Sequence, residues 1–327
     1  MANLVLSDEE FAKEIKVVME ERRLRTDDQP QARLFEQIMA AVYQAHPYRS
    51  PIIGWMNDLE NMTAADAREW YRRWYVPNNA TLIVVGDVKA EDVFAMAEQY
   101  FGPIPARDLP TRKPQIEPPQ NGTRRLILKA PAELPRLVMA YHAPSLRDVT
   151  KDWEPYALAV LTGVLDGHDA ARLDRRLVRT ENLAVSAGAT YDGVNRGDAL
   201  FFLDATPSSG NSVTMLEVIL KEEIRKIVDE GVSEQELKRV KAQVIASQVF
   251  QLDSMFNQAR MMGALEMSGL HYASAREQGE KLLAVTETQV RDVAKKYLID
   301  DNLTVAVLDP QPMTDKKPAA PSPALRH

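Results

Sequence analysis

Two stretches of the chain carry the same alternation of apolar and polar positions. From Met62 the order is MTAADAREWYRRWYVPNNATLIVV, and from Val285 it is VTETQVRDVAKKYLIDDNLTVAVL. They align without a gap at an offset of 223, placing Thr63 on Thr286, Arg68 on Arg291, Asn79 on Asn302 and Thr81 on Thr304. Each predicts a Thr N-cap, an amphipathic helix, an Asn turn and a β-strand, Leu82–Val85 in one and Val305–Leu308 in the other. A second pair precedes the first. LSDEEFAKEIKVVMEE from Leu6 resembles VSEQELKRVKAQVIAS from Val232, with Ser7 on Ser233 at an offset of 226. Both open as a capping box, Ser7 with Glu10 and Ser233 with Glu236. Two pairs in the same order at nearly the same offset imply a duplicated unit.

Residues 102–123 separate the copies and contain six prolines, which predicts an extended linker. Strand-like RRLILKA and RLVMAYHAP follow from Arg124. The expected organisation is therefore 1–101, the later part of a first domain; 102–123, the linker; 124–310, a second homologous domain; and 311–327, a disordered tail rich in Pro and Ala. The fold class expected is α+β, with two homologous α/β halves, the first of them incomplete. By the repeat, the counterpart of residue 124 falls roughly 100 residues before Met1. Met1 is accordingly read as an internal methionine. One long helix is expected from Ser233 to Met267. Its Met255, Met261, Met262 and Met267 read as core filler, and Trp70, Tyr71, Trp74 and Tyr75 as helix packing.

Composition narrows the function. The formal charge is −7 at pH 7, against a nucleic-acid binder. There is no cysteine, which removes disulfides, thiolate metal sites and cysteine nucleophiles. No run is long and apolar enough to span a membrane. The start, MANLVLSDEE, lacks the basic end and apolar length of a secretory signal. No Gly-rich phosphate loop follows a strand, which ranks a small-molecule-binding α/β protein last.

The pieces EEFAKEIKVVMEERRLRTDDQP and AHPYRSPIIGWMNDLENMTAADAREWYRRWYVPNNATLIVVGDV resemble the pitrilysin/insulinase family of zinc metallopeptidases. The resemblance covers most of 1–310. It implies two related halves closing over a peptide, with Zn2+ held by His-x-x-Glu-His and a Glu on a later helix. It makes Glu21 the distal zinc ligand and Glu14, seven residues earlier and on the same helix face, a supporting acid. Glu20 is the rival ligand if the register slips by one. Spacing alone reads this helix as solvated and salt-bridged, since Lys13, Lys16, Arg22 and Arg23 lie among the acids. The repeat aligns Glu14 with Val240 and Glu21 with Ser247, so the acidic pair belongs to one copy.

His-x-x-Glu-His itself is absent. The histidines are His46, His142, His168, His271 and His327, and no two have that spacing. His46 reads as structural, His142 as a packing or hydrogen-bonding group, and His168 as part of a turn opening a helix. The resemblance puts the motif roughly 50–60 residues upstream of Met1. The second copy departs from the family as well, with Val178 and Val185 where an Arg and a Tyr stabilise the peptide's developing negative charge. Arg179 is one position off and Tyr191 six late. The resemblance thus implies a heterodimer in which a homologous partner subunit supplies the Arg/Tyr pair, with peptides as substrates. A non-catalytic structural subunit is the alternative. Periplasmic placement is implied by resemblance, and cytoplasmic placement if Met1 is the true start.

Overall fold

The computed structural model describes residues 3–313, apart from the side chains of residues 248, 249 and 251. His327, Met1 and residues 314–327 of the expected tail lie outside the described residues. The N-terminal part is helical: α1 Asp8–Arg22, α2 Pro30–Val42, α3 Met56–Asn61, α4 Ala64–Trp74 and α5 Ala90–Phe101. The rest is mixed: β1 Arg124–Pro131, β2 Arg136–Ala143, α6 Glu154–Leu165, β3 Ala184–Tyr191, β4 Ala199–Pro207, α7 Val213–Glu230, α8 Glu234–Leu252, α9 Met255–Met267, α10 Ala275–Ala284, α11 Glu287–Tyr297 and β5 Leu303–Gln311. The α+β class expected from the sequence is what forms.

The five strands make one sheet in the order β1-β5-β2-β4-β3, with β5 parallel to β1 and antiparallel to β2. Side chains of a strand alternate between faces. In β2, Leu137, Met139 and Tyr141 point into a large core shared with α6, α7 and α11. Val138 and Ala140 point the other way, where α2 lays Leu34, Ile38 and Val42 onto Leu128, Ala130, Ala306 and Leu308. A helix from the first copy therefore closes the outer face of the second copy's sheet. Each such fully buried aliphatic side chain contributes ~1.5–3 kcal/mol.

The duplication is visible element by element. α1 and α8, α2 and α9, and α4 and α11 start 226, 225 and 223 positions apart. Thr63 and Thr286 each complete a capping box. Asn79 Nδ2 donates to Trp74 O, as Asn302 Nδ2 does to Tyr297 O. The packing is reciprocal too. As α2 lies on the second sheet, α9 lies against residues 83–86: a Cβ at Gly263 would stand 3.4 Å from Ile83 Cδ1, and one at Gly86 3.9 Å from Met255 Sδ.

Four expectations are corrected. Leu82–Val85 is not a strand; it has no regular secondary structure and no paired neighbour among the described residues, because strand structure needs a hydrogen-bonding partner. The helix from Ser233 is two helices. Ser254 caps α9 by accepting from Asn257 N, and a cap marks a helix start. Met255 and Met267 are exposed rather than core, while Met261 does pack on the main core. Trp70 and Tyr75 are exposed as well, because their ring contacts come from Trp74 and Tyr71 on the same helical stretch and not from a covering element; Arg112 lies over Trp74, 4.7 Å from its ring.

Two ionic features hold the parts in register. Buried Arg22, at the end of α1, donates to both carboxylate oxygens of Glu36 on α2 (2.8 and 2.9 Å) and to Gly54 O (2.7 Å), and stands 5.9 Å from the Trp55 ring. Glu117 reaches from the proline-rich segment to accept from the N–H groups of Gln44, Ala45 and His46 at 2.7, 2.8 and 2.9 Å. Desolvation pushes the Glu117 carboxyl up, but the three backbone bonds outweigh it and hold it below the usual range. Nearby on the chain, Gln120 Nε2 donates to Leu303 O at 2.7 Å.

Glu36→Ala is expected to destabilise the chain by ~3 kcal/mol in urea unfolding, because the buried Arg22 guanidinium loses its two-pronged partner and keeps only Asp27, at 3.3 Å, as a counter-charge. Glu20→Ala, which breaks the exposed pair with Arg23, is expected to cost ~1 kcal/mol or less. Acid sensitivity follows from Glu236, which Arg172 holds at 2.8 Å. Desolvation raises its carboxyl, but Arg172 and Ser233 overcome that and hold it at about 2, against 4.5 unfolded. A carboxylate with a depressed folded pKa stabilises above its unfolded value and loses that contribution as pH falls. Stability should thus fall between pH 4.5 and 2, and Glu236→Gln should flatten that drop in a pH series of thermal melts.

Candidate functional site

Helix α1 begins where Ser7 accepts from Glu10 N, and Asp8, Glu9 and Glu10 complement the positive end of the helix dipole. Arg68 ties its start to α4 by donating to Leu6 O and Asp8. Its far end widens into a π-helical turn, Arg23–Asp27, clamped by Arg22. Glu14 and Glu21 both lie on α1, seven residues apart, which is close to two turns and one face.

That face is open. Glu14 and Val17 are exposed, and so is Leu24 just beyond. The apolar residue beside the acids, Val17, is thus solvent-facing, and burial does not force a metal on this face. Glu21 is half-exposed and pairs with Arg25 at 2.8 Å, and Glu20 pairs with Arg23 at 3.0 Å. Glu21 also lines a cavity of about 910 Å³ with Arg25, Phe35, Met39, Tyr48 and Ile52.

The equivalent face of α8 is closed at the Glu14 position and open at the Glu21 position, where Ser247 is exposed. Val240, which aligns with Glu14, is buried against α6 so tightly that a Cβ at Gly163 would meet its Cγ1 at 2.6 Å. The same helix face thus packs on a helix in one copy and presents carboxylates in the other.

No group of three or more potential metal-binding His, Cys, Asp or Glu occurs among the described residues. Zinc sites of the peptidase type take three protein ligands. Glu21 offers one carboxylate, already held by Arg25, so the residues present do not by themselves fit a zinc ion.

The histidines serve local structure. His46 Nδ1 accepts from Tyr48 N, His168 Nδ1 from Ala170 N and His271 Nδ1 from Ala273 N. His142 Nε2 lies 3.1 Å from Val42 O, with its ring edge-on to Tyr43. The His46-Pro47-Tyr48 motif docks the two copies. Tyr48 Oη accepts from Arg196 N and Gly197 N, and Tyr43 Oη donates to Asp198 O. A Cβ at Gly197 would stand 2.2 Å from the His46 ring, so glycine is required there.

In the second copy, Val178 sits in a π-helical turn, Asp174–Thr180, and Val185 is exposed on β3. Arg179 pairs with Asp174 and Asp169, and Tyr191 Oη donates to Pro144 O at 2.5 Å. Both are committed to local partners. Sequence reasoning did not single out Arg22, Glu36 or Glu117. Arg22 and Glu36 stand 14 positions apart, and no helical period links them.

Known proteins agree with this architecture. The sequence profile of the family described as "Peptidase M16 inactive domain" matches residues 61–244. The zinc protease PqqE of Helicobacter pylori is 27% identical over 321 residues, which cover 95% of this chain and 69% of that protein. An uncharacterised zinc protease of Mycobacterium leprae is 26% identical over 302 residues, 90% of this chain and 65% of that protein. The crystal structure of a protease from Helicobacter pylori superposes with a TM-score of 0.87 at 25% identity, covering 95% of this chain and 74% of that one. With a profile match over more than half its length, the duplicated, helix-covered fold seen here belongs to the peptidase M16 family, whose curated relatives are named zinc proteases.

Proposed function

We propose that this chain contributes one side of a zinc metalloendopeptidase site, with Glu21 as a metal-ligating carboxylate and Glu14 supporting it. One observation carries the reading. Glu14 lies on an open helix face that it shares with Glu21, whereas α6 closes the equivalent position of α8 at Val240 and leaves Ser247, the counterpart of Glu21, exposed. A helix brought over α1 in the same way would meet Glu14, with Glu21 two turns further along the same face. The zinc-protease names of the curated relatives support the metal. The two His and the general base of His-x-x-Glu-His would come from polypeptide outside these 327 residues. An Arg and a Tyr from a homologous partner subunit would take the places held here by Val178 and Val185. Peptides are the substrate class, and the boundaries 1–101, 102–123 and 124–310 belong to the same proposal.

A second reading is a non-catalytic scaffold subunit. It is favoured by the match to the family's inactive domain.

The test is zinc content and peptide hydrolysis of residues 1–327 and of a form extended upstream by about 120 residues, the length set by the repeat. Each is assayed with and without a homologous subunit. The extended form is expected to hold about one zinc ion per chain. Glu21→Gln should abolish that binding, Glu20→Gln should leave it, and Glu14→Gln should weaken it by about 10–100-fold. Hydrolysis should need the partner. An extended form that binds no zinc would reject the peptidase reading in favour of the scaffold.

A further inference from the structure

Asn121-Gly122 is the one Asn-Gly pair in the sequence, and it sits where the proline-rich segment meets β1. Gln120, just before it, is buried and donates from Nε2 to Leu303 O and Gly122 O at 2.7 and 2.9 Å. Thr123, just after it, donates from Oγ1 to Asp300 O at 2.9 Å. Both ends of the segment are thus fixed to the start of β5 and the turn before it. Asn121 between them is exposed, and its side-chain amide makes no hydrogen bond among the described residues. Gly122 has φ +130°, and nothing lies within 4 Å of the place a Cβ would take, so its backbone is unscreened. Its N–H reaches Asp301 O at 3.2 Å, the long limit of a hydrogen bond. The other asparagines differ in kind. Each is followed by a residue with a side chain, and Asn61, Asn78, Asn79, Asn195, Asn211 and Asn302 donate from Nδ2 to a nearby oxygen.

The reaction open to such a pair is ring closure. The Gly122 nitrogen attacks Cγ of Asn121 and forms a C–N bond, and the C–N bond of the side-chain amide breaks. The leaving nitrogen takes up the Gly122 amide proton and departs as ammonia. Water then adds across one of the two C–N bonds of the five-membered imide. Opening at the side-chain carbonyl leaves an aspartyl residue. Opening at the main-chain carbonyl leaves an isoaspartyl residue, whose backbone runs through the β-carbon and is one methylene longer. A side chain on the following residue would crowd the attacking nitrogen, and glycine has none. We infer that Asn121 is a self-modification site: it converts by this route in the folded protein, and its isoaspartyl product is a substrate for an S-adenosylmethionine-dependent isoaspartyl methyltransferase. The product loosens the seam between the proline-rich segment and the sheet. Its carboxylate stands beside Asp300 and Asp301, which are like charges. Its extra methylene displaces Gly122 and Thr123 from Asp301 O and Asp300 O, and with them the start of β1, where Arg124 pairs with Thr304. Glu21 takes no part, so the inference holds for a catalytic chain and for a scaffold alike.

Ageing of the folded protein tests this. Residues 1–327 are held in mildly alkaline buffer, which raises the fraction of deprotonated amide, and sampled over time. Trypsin releases Lys113–Arg124 as one peptide, since Pro114 blocks cleavage after Lys113. Fragment masses place any deamidation within it, and methyl transfer from labelled S-adenosylmethionine by isoaspartyl methyltransferase counts the isoaspartyl product. Position 121 should convert several-fold faster than Asn79 and Asn211, whose following residues Ala80 and Ser212 are the next smallest. The converted protein should melt a few degrees below the fresh protein. Asn121→Gln should take up no label in this peptide and keep its melting temperature on ageing. A synthetic peptide of residues 113–124 is the unfolded reference. If it converts while position 121 of the folded protein stays intact, the bond to Asp301 shields the site and the inference falls. Label that arises chiefly at other positions, or a converted protein that melts as the fresh one does, also overturns it.

Discussion

The outer face of the five-stranded sheet must be kept from water, and among the described residues the helix set against it is α2. Leu34, Ile38 and Val42 are fully buried there, and they come from the other copy of the repeat. This exchange, in which each copy's second long helix covers the other copy's strand, is what the rest of the structure rests on. Arg22 and Glu36 fix α2 against α1, Glu117 holds the chain just past α2, and Tyr43 and Tyr48 anchor the following loop to Arg196–Asp198. Each bond is modest alone. Together they set where α1, and so Glu14 and Glu21, sits relative to the second copy.

The two copies use one helix face for different ends. In α8 the face is apolar and tight, with Val240 against Gly163. In α1 it carries carboxylates that solvent and Arg25 satisfy. A carboxylate is costly to bury without a cation or donors, so the open state of this face and its acidic residues are physically consistent. His46, His142, His168 and His271 are turn and packing residues.

Much of this was legible in the sequence because it is local or periodic. Helix caps at Ser7, Thr63, Ser233 and Thr286, the helices after them, the strands from Arg124 and the duplication all rest on short-range patterns, although at Ser7 only the half of the box in which Ser7 accepts from Glu10 N forms. The candidate acids Glu14 and Glu21 were legible only through family resemblance, since their spacing also fits a salt-bridged helix. Long-range features were hidden. Nothing in the order of residues pairs Arg22 with Glu36, or Glu117 with the amides of 44–46. Leu82–Val85 was misread for a related reason: the strand pattern is present, but a strand is a relation between two segments, and the second is not among the described residues. The same lack leaves Trp70 and Tyr75 exposed. Their counterparts Val293 and Leu298 are buried because α6 and α7 are there to cover them.

The central claim is that residues 80–88 and 303–311 are one strand in two states, unpaired and paired. Amide hydrogen exchange on residues 1–327 tests it directly. The amides of Leu82–Val85 are predicted to exchange near the free-chain rate, and those of Val305–Leu308 more slowly by a factor on the order of 1,000 or more. Comparable protection of the two segments would contradict the claim, because it would mean that the first strand already has its neighbours.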